Sequence, residues 1–212
     1  MGQASLLLPG PFQGPRRPAP SNPFVSAHTG MIPEGPVLFL GAAGGADAAK
    51  MARQGRPVTL VDDRILAAEQ PDKDWETSET SPGIRGDQPL AWQLGYQRWA
   101  GIVALYCQWP ETVWRHLMGQ VPNALIPGGV LLLEGQAMGP AGPMNTDDTL
   151  LDPEELRPEL DILFLSRFAI VSRPLPEMGL NPARVLQVVG VHLEPNDQSL
   201  WEAAPAPRRR RA

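Results

Sequence analysis

Three glycines at the end of a short apolar run are the residues whose spacing first points to chemistry. The run Val37-Leu38-Phe39-Leu40 leads into Gly41-Ala42-Ala43-Gly44-Gly45. Glycines let the backbone turn sharply and let a ligand approach the main chain, and a helix starting here would direct its free N–H groups at an anion. This loop alone fits a ligand-binding turn and a tight turn without a ligand equally well.

A carboxylate follows that turn at the distance typical of a nucleoside site. Asp62 lies 21 residues beyond Gly41 (62 − 41), with Asp63 beside it, at the end of a second apolar run. A carboxylate placed there can accept hydrogen bonds from ribose hydroxyls. The dinucleotide fingerprint needs glycines where Ala43 and Ala46 stand, and no Gly-Lys-Ser/Thr of a P-loop follows the first run. An adenosine-type ligand is therefore predicted, with NAD as the weaker alternative.

Further candidates for contact with a substrate follow the later apolar runs. Tyr106, Cys107 and Gln108 come directly after residues 102–105, and Glu134 comes directly after 130–133. Tyr106 and Cys107, at the end of a buried run, are more typical of core or wall residues. His28 and His116 can act as bases, but a lone histidine is more often structural. Trp99, Trp109 and Trp114 can stack on an aromatic substrate or simply cover the sheet.

These residues need a sheet to bring them together, and the pattern of apolar runs predicts one. Short apolar runs alternate with helical segments, which favours a doubly wound α/β sheet with ligands at the carboxyl ends of its strands. Asp47 is a plausible N-cap for the first helix, and Asp152-Pro153-Glu154-Glu155 has the residues of a helix start. The predicted strands are 37–40, 58–61, 102–106, 130–133, 162–171 and 185–193, and the predicted helices are 48–54, 111–125 and one from 153.

Composition and charge narrow the classes of partner. The net charge of −5 gives no general attraction to nucleic acid, and the arginine run 208–211 is more typical of a solvated tail. No apolar stretch approaches the ~20 residues of a membrane span. One cysteine permits no intrachain disulfide, which fits a cytoplasmic protein. Three histidines without a metal-ligand spacing predict no bound metal. The oligomeric state is not predicted.

Three regions are expected from the distribution of proline, glycine and apolar residues. Residues 1–35 form a Pro/Gly-rich N-terminal arm that is partly ordered near 21–35. Residues 36–195 form the α/β domain, and residues 196–212 form a flexible tail.

Considered together, the motifs resemble class I S-adenosylmethionine-dependent methyltransferases, particularly bacterial ones related to tellurite-resistance and thiopurine methyltransferases. The resemblance covers roughly residues 21–193. It rests on Ser21-Asn22-Pro23-Phe24, on 37–45, on 49–62, on Gly101-Ile102-Val103-Ala104-Leu105-Tyr106-Cys107-Gln108-Trp109-Pro110, on 125–134 and on Asp152-Pro153-Glu154-Glu155-Leu156.

The resemblance implies a mostly parallel, seven-stranded Rossmann-like sheet with an antiparallel last strand, and S-adenosylmethionine as cofactor. It also implies methyl transfer to a small-molecule acceptor, with a thiol or chalcogenide as the expected nucleophile. The implied cofactor contacts are Gly41, Ala42, Ala43, Gly44 and Gly45 for the methionine part, Asp62 and Asp63 for the ribose, Asp87 for the adenine and the backbone near Tyr106 for the sulfonium. The implied acceptor contacts are Phe24, Gln108, Trp109 and Glu134.

The chain departs from that family at four positions. Phe39 stands where the family usually has an acidic residue within the first strand, and Ala43 replaces a glycine. Arg64 replaces a serine after the ribose carboxylate. Ala100 replaces an acidic residue just before the family's fourth strand, which corresponds to the predicted strand 102–106. These changes leave an alternative open, in which the domain has lost catalysis and serves as a binding or assembly subunit.

Overall fold

The computed structural model describes residues 21–41, 44–61, 92–107, 109–139, 150–175 and 180–193. Residues 1–20 of the predicted arm and the whole predicted tail, 196–212, lie outside these ranges. Within the described part, no helix is long and apolar enough to cross a membrane.

A single twisted sheet organises the described residues. Its strands are β1 (Val37–Leu40), β2 (Val58–Val61), β3 (Trp99–Leu105), β4 (Leu125–Gln136), β5 (Phe164–Leu175) and β6 (Leu180–Val191). The order across the sheet is β2-β1-β3-β4-β6-β5. The first four pair in parallel, whereas β6 runs antiparallel to both β4 and β5. The predicted mostly parallel sheet with an antiparallel last strand is confirmed, but the predicted count of seven is wrong for the described residues, which form six.

Strands β1 and β3 are buried along their whole length because helices cover both faces of the sheet. The helices are α1 (Pro23–His28), a 3-10 turn (Thr29–Met31), α2 (Gly45–Arg53), α3 (Glu111–Met118), α4 (Val121–Ala124) and α5 (Pro153–Glu159). Apolar side chains of α1 and α2 pack on one face, and those of α3, α4 and α5 pack on the other. The doubly wound arrangement predicted from the alternation of strands and helices is therefore present.

Two helix boundaries differ from those predicted. Helix α2 begins at Gly45 with Gly44 as its N-cap, so Asp47 lies in the first turn and is not the cap. The predicted helix 111–125 is broken at Gly119, and α4 begins two residues later. Pro122 in the first turn of α4 has no N–H, so it can start a helix but cannot continue one. Strand β4 then begins at Leu125, five residues before the predicted start (130 − 125).

The order of strands reverses beside β1, because β2 lies on one side of it and β3 on the other. In open parallel sheets a crevice forms at such a reversal, outside the carboxyl ends of the two strands, and ligands bind there. The fold therefore directs attention to the segments that follow Leu40 and Leu105.

Candidate functional site

The chain turns sharply at Gly41, where β1 ends. Gly41 has a φ of +91°, and its N–H donates to the Val61 carbonyl at 2.8 Å. A Cβ at this position would lie 2.5 Å from the Leu105 carbonyl oxygen and 3.1 Å from the Cys107 sulfur. The Cys107 thiol donates to the Leu40 carbonyl at 3.3 Å. Glycine is required because the ends of β1 and β3 approach each other closely here.

Helix α2 begins just after this turn, and its start is open. Gly44 is the N-cap and has no side chain with which to bond the first-turn N–H groups. Among the described residues, a Cβ on Gly45 would meet nothing within 4 Å, whereas a Cβ on Gly44 would lie 2.8 Å from the Phe39 ring. The first N–H groups of a helix lack partners within the helix and attract anions. This helix start therefore suits a carboxylate or another anionic group.

Tyr106 lies directly after β3, at the carboxyl end of the parallel strands. Its φ of +47° is unusual for a residue other than glycine. Its hydroxyl donates to Glu134 Oε1 at 2.8 Å and accepts from the Arg173 guanidinium at 2.9 Å. Burial, followed by the negative charge of Glu134, raises the pKa of Tyr106 well above its usual value of 10.0. The hydroxyl therefore stays protonated and acts as a donor to Glu134.

Glu134 is the centre of a buried polar network at this edge of the sheet. Only 1% of its surface is exposed. Its Oε1 accepts from Asn22 Nδ2 and from Tyr106, each at 2.8 Å, and forms an ion pair with Arg173 at 2.8 Å. Its Oε2 accepts from Gln187 Nε2 at 2.6 Å. A buried carboxylate is tolerated when a cation and several donors satisfy it, as they do here.

Asn22, Arg173 and Gln187 belong to this network and were not predicted as site residues. Asn22 has a local signal, since asparagine before Pro23 is typical of a helix N-cap. Arg173 and Gln187 are polar residues within apolar strands, which hints at a buried polar site without identifying a partner. Their meeting with Glu134 depends on strand pairing between distant segments.

A small pocket lies between Tyr106 and the face covered by α3. Its enclosed part has room for about one water molecule. The residues that line it are Ala104, Tyr106, Cys107, Trp114, Glu134, Gly135 and Leu151. Apart from the network and the Cys107 sulfur, these side chains are apolar.

The other residues proposed from the sequence have varied surroundings. Phe24 is buried, and its ring lies 4.8 Å from that of His28. Trp109 is buried against Trp92 in an edge-on arrangement, with ring centroids 6.0 Å apart. The Nε2 atom of His116 lies 3.1 Å from the Trp92 carbonyl oxygen. Ala42, Ala43, Asp62, Asp63, Asp87 and Gln108 lie outside the described residues.

Two positions that depart from the methyltransferase pattern have different surroundings. Phe39 is fully buried in the middle of β1, with its ring beneath Gly44. Ala100 lies near the amino end of β3, where its N–H donates to the Pro36 carbonyl at 2.8 Å. Ala100 therefore lies at the amino ends of the strands, opposite to the crevice. The Phe39 ring, by contrast, packs beneath the residue that starts α2. Among the described residues, no group of three His, Cys, Asp or Glu side chains is placed to hold a metal.

Comparisons with known proteins show the fold but no sequence family. No family model and no curated protein sequence matches the chain. Among solved structures, TehB from Haemophilus influenzae matches 79% of the chain with a TM-score of 0.56 and 16% identity. The chain spans 60% of the length of that TehB chain.

Two further structures give the same result. An S-adenosylmethionine-dependent methyltransferase from Methanosarcina mazei matches 81% of the chain and 98% of its own, with a TM-score of 0.52 and 14% identity. The 1,6-didemethyltoxoflavin-N1-methyltransferase of Burkholderia thailandensis, solved with S-adenosylhomocysteine, matches 81% of the chain and 76% of its own, with a TM-score of 0.50 and 20% identity. The chain has the fold of class I S-adenosylmethionine-dependent methyltransferases, and the resemblance read from its motifs is confirmed at the level of fold.

Proposed function

We propose that this protein transfers a methyl group from S-adenosylmethionine to a small-molecule acceptor. The observation that carries the proposal is the open start of α2 at Gly44 and Gly45, which directly follows the turn at Gly41. This helix start follows the carboxyl end of β1, beside the point where strand order reverses, in a sheet with the methyltransferase fold.

The residues that are present fit the cofactor. The α2 start suits the carboxylate of the methionine part, because unpaired N–H groups and the helix dipole both favour an anion. The backbone near Tyr106 is proposed to lie beside the sulfonium, on the family resemblance. Asp62 with Asp63 is proposed for the ribose and Asp87 for the adenine, on the family resemblance alone. When bound, the cofactor supplies an already activated methyl group.

The protein's own contribution to such a transfer is mainly positioning. Aligning two reactants and excluding water can supply a large part of a rate enhancement without an acid or a base. Tyr106 is held by two hydrogen bonds, and the Glu134 carboxylate is occupied by four donor side chains. These groups hold the wall of the crevice in one geometry.

A thiol or chalcogenide is the proposed acceptor. The small pocket beside Tyr106 combines the apolar side chains of Ala104, Trp114 and Leu151 with the Glu134 carboxylate, whose charge is already paired with Arg173. A weakly hydrated, soft nucleophile loses little solvation on entering such surroundings. Phe24, Gln108 and Trp109 stay predicted as acceptor contacts.

Isothermal titration with S-adenosylmethionine, S-adenosylhomocysteine and NAD tests the cofactor. We expect saturable binding of the first two, with a dissociation constant of about 1–100 μM, and no binding of NAD. Asp62→Ala is expected to weaken that binding without changing the melting temperature. A folded protein that binds neither cofactor form would contradict the proposal and favour the non-catalytic subunit.

A methyl-transfer assay tests the acceptor. Purified protein is incubated with methyl-labelled S-adenosylmethionine and a matched series of small thiols, alcohols and amines of the same carbon skeleton. We expect label to move to the thiols alone. Transfer to the amines would retain the methyltransferase but remove the soft nucleophile from the proposal.

A further inference from the structure

Asn22 uses every polar group it has to join separate parts of the structure. Its N–H donates to Asp47 Oδ2 at 2.8 Å, and its Nδ2 donates to Glu134 Oε1 at 2.8 Å. Its Oδ1 accepts from the Phe24 N–H at 2.8 Å, which caps α1, and its carbonyl accepts from the Ser26 N–H at 2.9 Å. One residue therefore connects three elements of the fold.

The two longer connections run to the first turn of α2 and to the Glu134 side chain on β4. Asp47 lies in the first turn of α2, the helix whose open start is the proposed anion site. Glu134 holds the Tyr106 hydroxyl at the end of β3. Asn22 thus fixes the start of α2 relative to the Glu134–Tyr106 pair.

The chemistry at Glu134 explains why the residue is an asparagine. Helix capping at α1 would be served nearly as well by aspartate or serine. Glu134 Oε1, however, needs a donor at this point, and aspartate would place a second carboxylate against a buried one. Serine keeps a capping oxygen but is too short to reach Glu134.

We infer that Asn22 is a positioning residue of the proposed cofactor site. It holds the first turn of α2 against Glu134 and Tyr106, so that a ligand between them meets both walls already in place. The inference rests on the proposed function for the identity of the ligand. The N-terminal segment is thereby part of the site and not only a cover on the sheet.

The test compares two substitutions at Asn22 with a control on the same helix. Asn22→Asp keeps the shape and the α1 cap but replaces the donor with an acid, and Asn22→Ser keeps the cap and removes the donor. The control, Val25→Ala, weakens the packing of α1 through a fully buried side chain that makes no hydrogen bond, while the Val25 backbone N–H that faces Asn22 Oδ1 is retained. Binding of S-adenosylhomocysteine is measured by titration at about pH 8 and about pH 5.5, relative to the unaltered protein at each pH.

Asn22→Asp is expected to lose at least about tenfold in affinity at the higher pH. Affinity should recover at the lower pH, because an aspartate beside Glu134 takes up a proton readily and can then donate. Asn22→Ser should lose affinity at both pH values, and Val25→Ala should keep it. A purely structural role for the segment would instead make Val25→Ala as harmful as Asn22→Asp, with no recovery at low pH.

Amide hydrogen exchange of the ligand-free proteins separates this inference from the proposed function. If the unaltered protein binds no S-adenosylhomocysteine, the proposed function fails, and exchange at residues 48–51 of α2 decides the inference. Faster exchange at residues 48–51 in Asn22→Asp than in Val25→Ala would support the inference that Asn22 holds α2 against Glu134. Equal exchange in the two variants would overturn it. If the unaltered protein binds but Asn22→Asp stays within about twofold of it at both pH values, the inference is wrong and the proposed function stands.

Discussion

Helices α2 and α5 begin in contrasting ways. Helix α5 starts at Pro153 with the Asp152 side chain accepting from the Glu154 N–H at 2.8 Å, and two glutamates lie in its first turn. Helix α2 starts at Gly45 behind a glycine that offers no cap. A capped, acidic start lowers the free energy of the helix, whereas an uncapped glycine start gives up part of that stability.

The difference in N-caps means that first-turn N–H groups are available to a ligand at α2 more than at α5. The α5 start is capped by the Asp152 side chain, and its two first-turn glutamates disfavour a bound anion. The α2 start lies at the carboxyl edge of the sheet beside the strand reversal, where a bound anion can supply what a capping side chain would. Substitutions at the two starts should therefore separate stability from binding.

Gly41→Ala should have the largest effect, because it destroys the turn that precedes α2. The new Cβ would lie 2.5 Å from the Leu105 carbonyl oxygen at a φ of +91°. We expect more than about 2 kcal/mol lost from the free energy of unfolding, together with loss of cofactor binding. Urea denaturation and titration with S-adenosylhomocysteine measure the two effects.

The matched control for that substitution is Gly55→Ala. Gly55 has a similar φ of +84°, but a Cβ there meets nothing within 4 Å. Only the backbone strain remains, which costs about 1 kcal/mol. Equal losses at the two glycines would show that the close approach of β1 and β3 does not determine the residue at position 41.

Gly45→Asp should make the start of α2 resemble that of α5. A carboxylate in the first turn is expected to add about 0.5 kcal/mol to stability through the helix dipole, and no described residue lies within 4 Å of a Cβ at this position. The same charge should repel the cofactor carboxylate and weaken binding by at least about tenfold. Titration with S-adenosylhomocysteine measures the expected loss of affinity, and thermal unfolding measures the expected gain in stability.

Gly45→Ala controls for the added side chain without the charge. Alanine raises helix propensity and should leave the affinity for S-adenosylhomocysteine unchanged. If the alanine and aspartate variants bind equally, the α2 start is not the anion site, and the proposed placement of the methionine part is wrong.

Asp152→Ala should affect stability alone. Removal of the α5 cap is expected to cost about 1 kcal/mol, with no change in cofactor affinity, while Asp152→Ser should recover most of that loss. Chemical denaturation of the two variants provides the measurement. A tenfold drop in affinity in Asp152→Ala, by contrast, would mean that the starts of both helices contribute to cofactor binding.

Local patterns predicted the parts of the fold that depend on neighbouring residues. Continuous apolar runs identified β1 and β3, because strands buried on both faces need no alternation. Asp152 followed by Pro153 identified the α5 start for the same local reason. The predicted start of α2 is too late. A glycine N-cap has no side chain by which to recognise it, whereas aspartate is a common N-cap residue and Asp47 lies close by.

The polar network could not be predicted in this way. Asn22 and Glu134 are 112 residues apart in the sequence. Arg173 lies on β5 and reaches Glu134 on β4 because β6 pairs with both strands and lies between them. Which polar residues meet is decided by strand order, and no local period encodes that order. Glu134 was proposed from its place after an apolar run, whereas its partners became evident only from the pairing of strands.

Asp47→Asn should have the smallest effect, and it tests the contribution of the charge in the first turn of α2. The glutamates of α5 are partly or fully exposed, whereas Asp47 is buried, and its burial outweighs its hydrogen bond from Asn22 and raises its pKa above the usual 3.8. A raised pKa means that the folded protein favours the protonated form. The stability of the unaltered protein relative to the non-titrating variant should therefore fall as pH rises from below 3.8 through the raised pKa.

At neutral pH the asparagine variant should be as stable as the unaltered protein or slightly more stable, by less than about 1 kcal/mol, because the lost helix-dipole attraction partly offsets the relief of burial. Urea denaturation of both proteins across this pH range measures the difference, and Glu154→Gln in α5 serves as the exposed control. If the unaltered protein instead gained stability over Asp47→Asn as pH rose, the charge of Asp47 would be favourable where it lies. The first turn of α2 would then be stabilised by its own carboxylate, as α5 is, and its open start would need no bound anion to explain it.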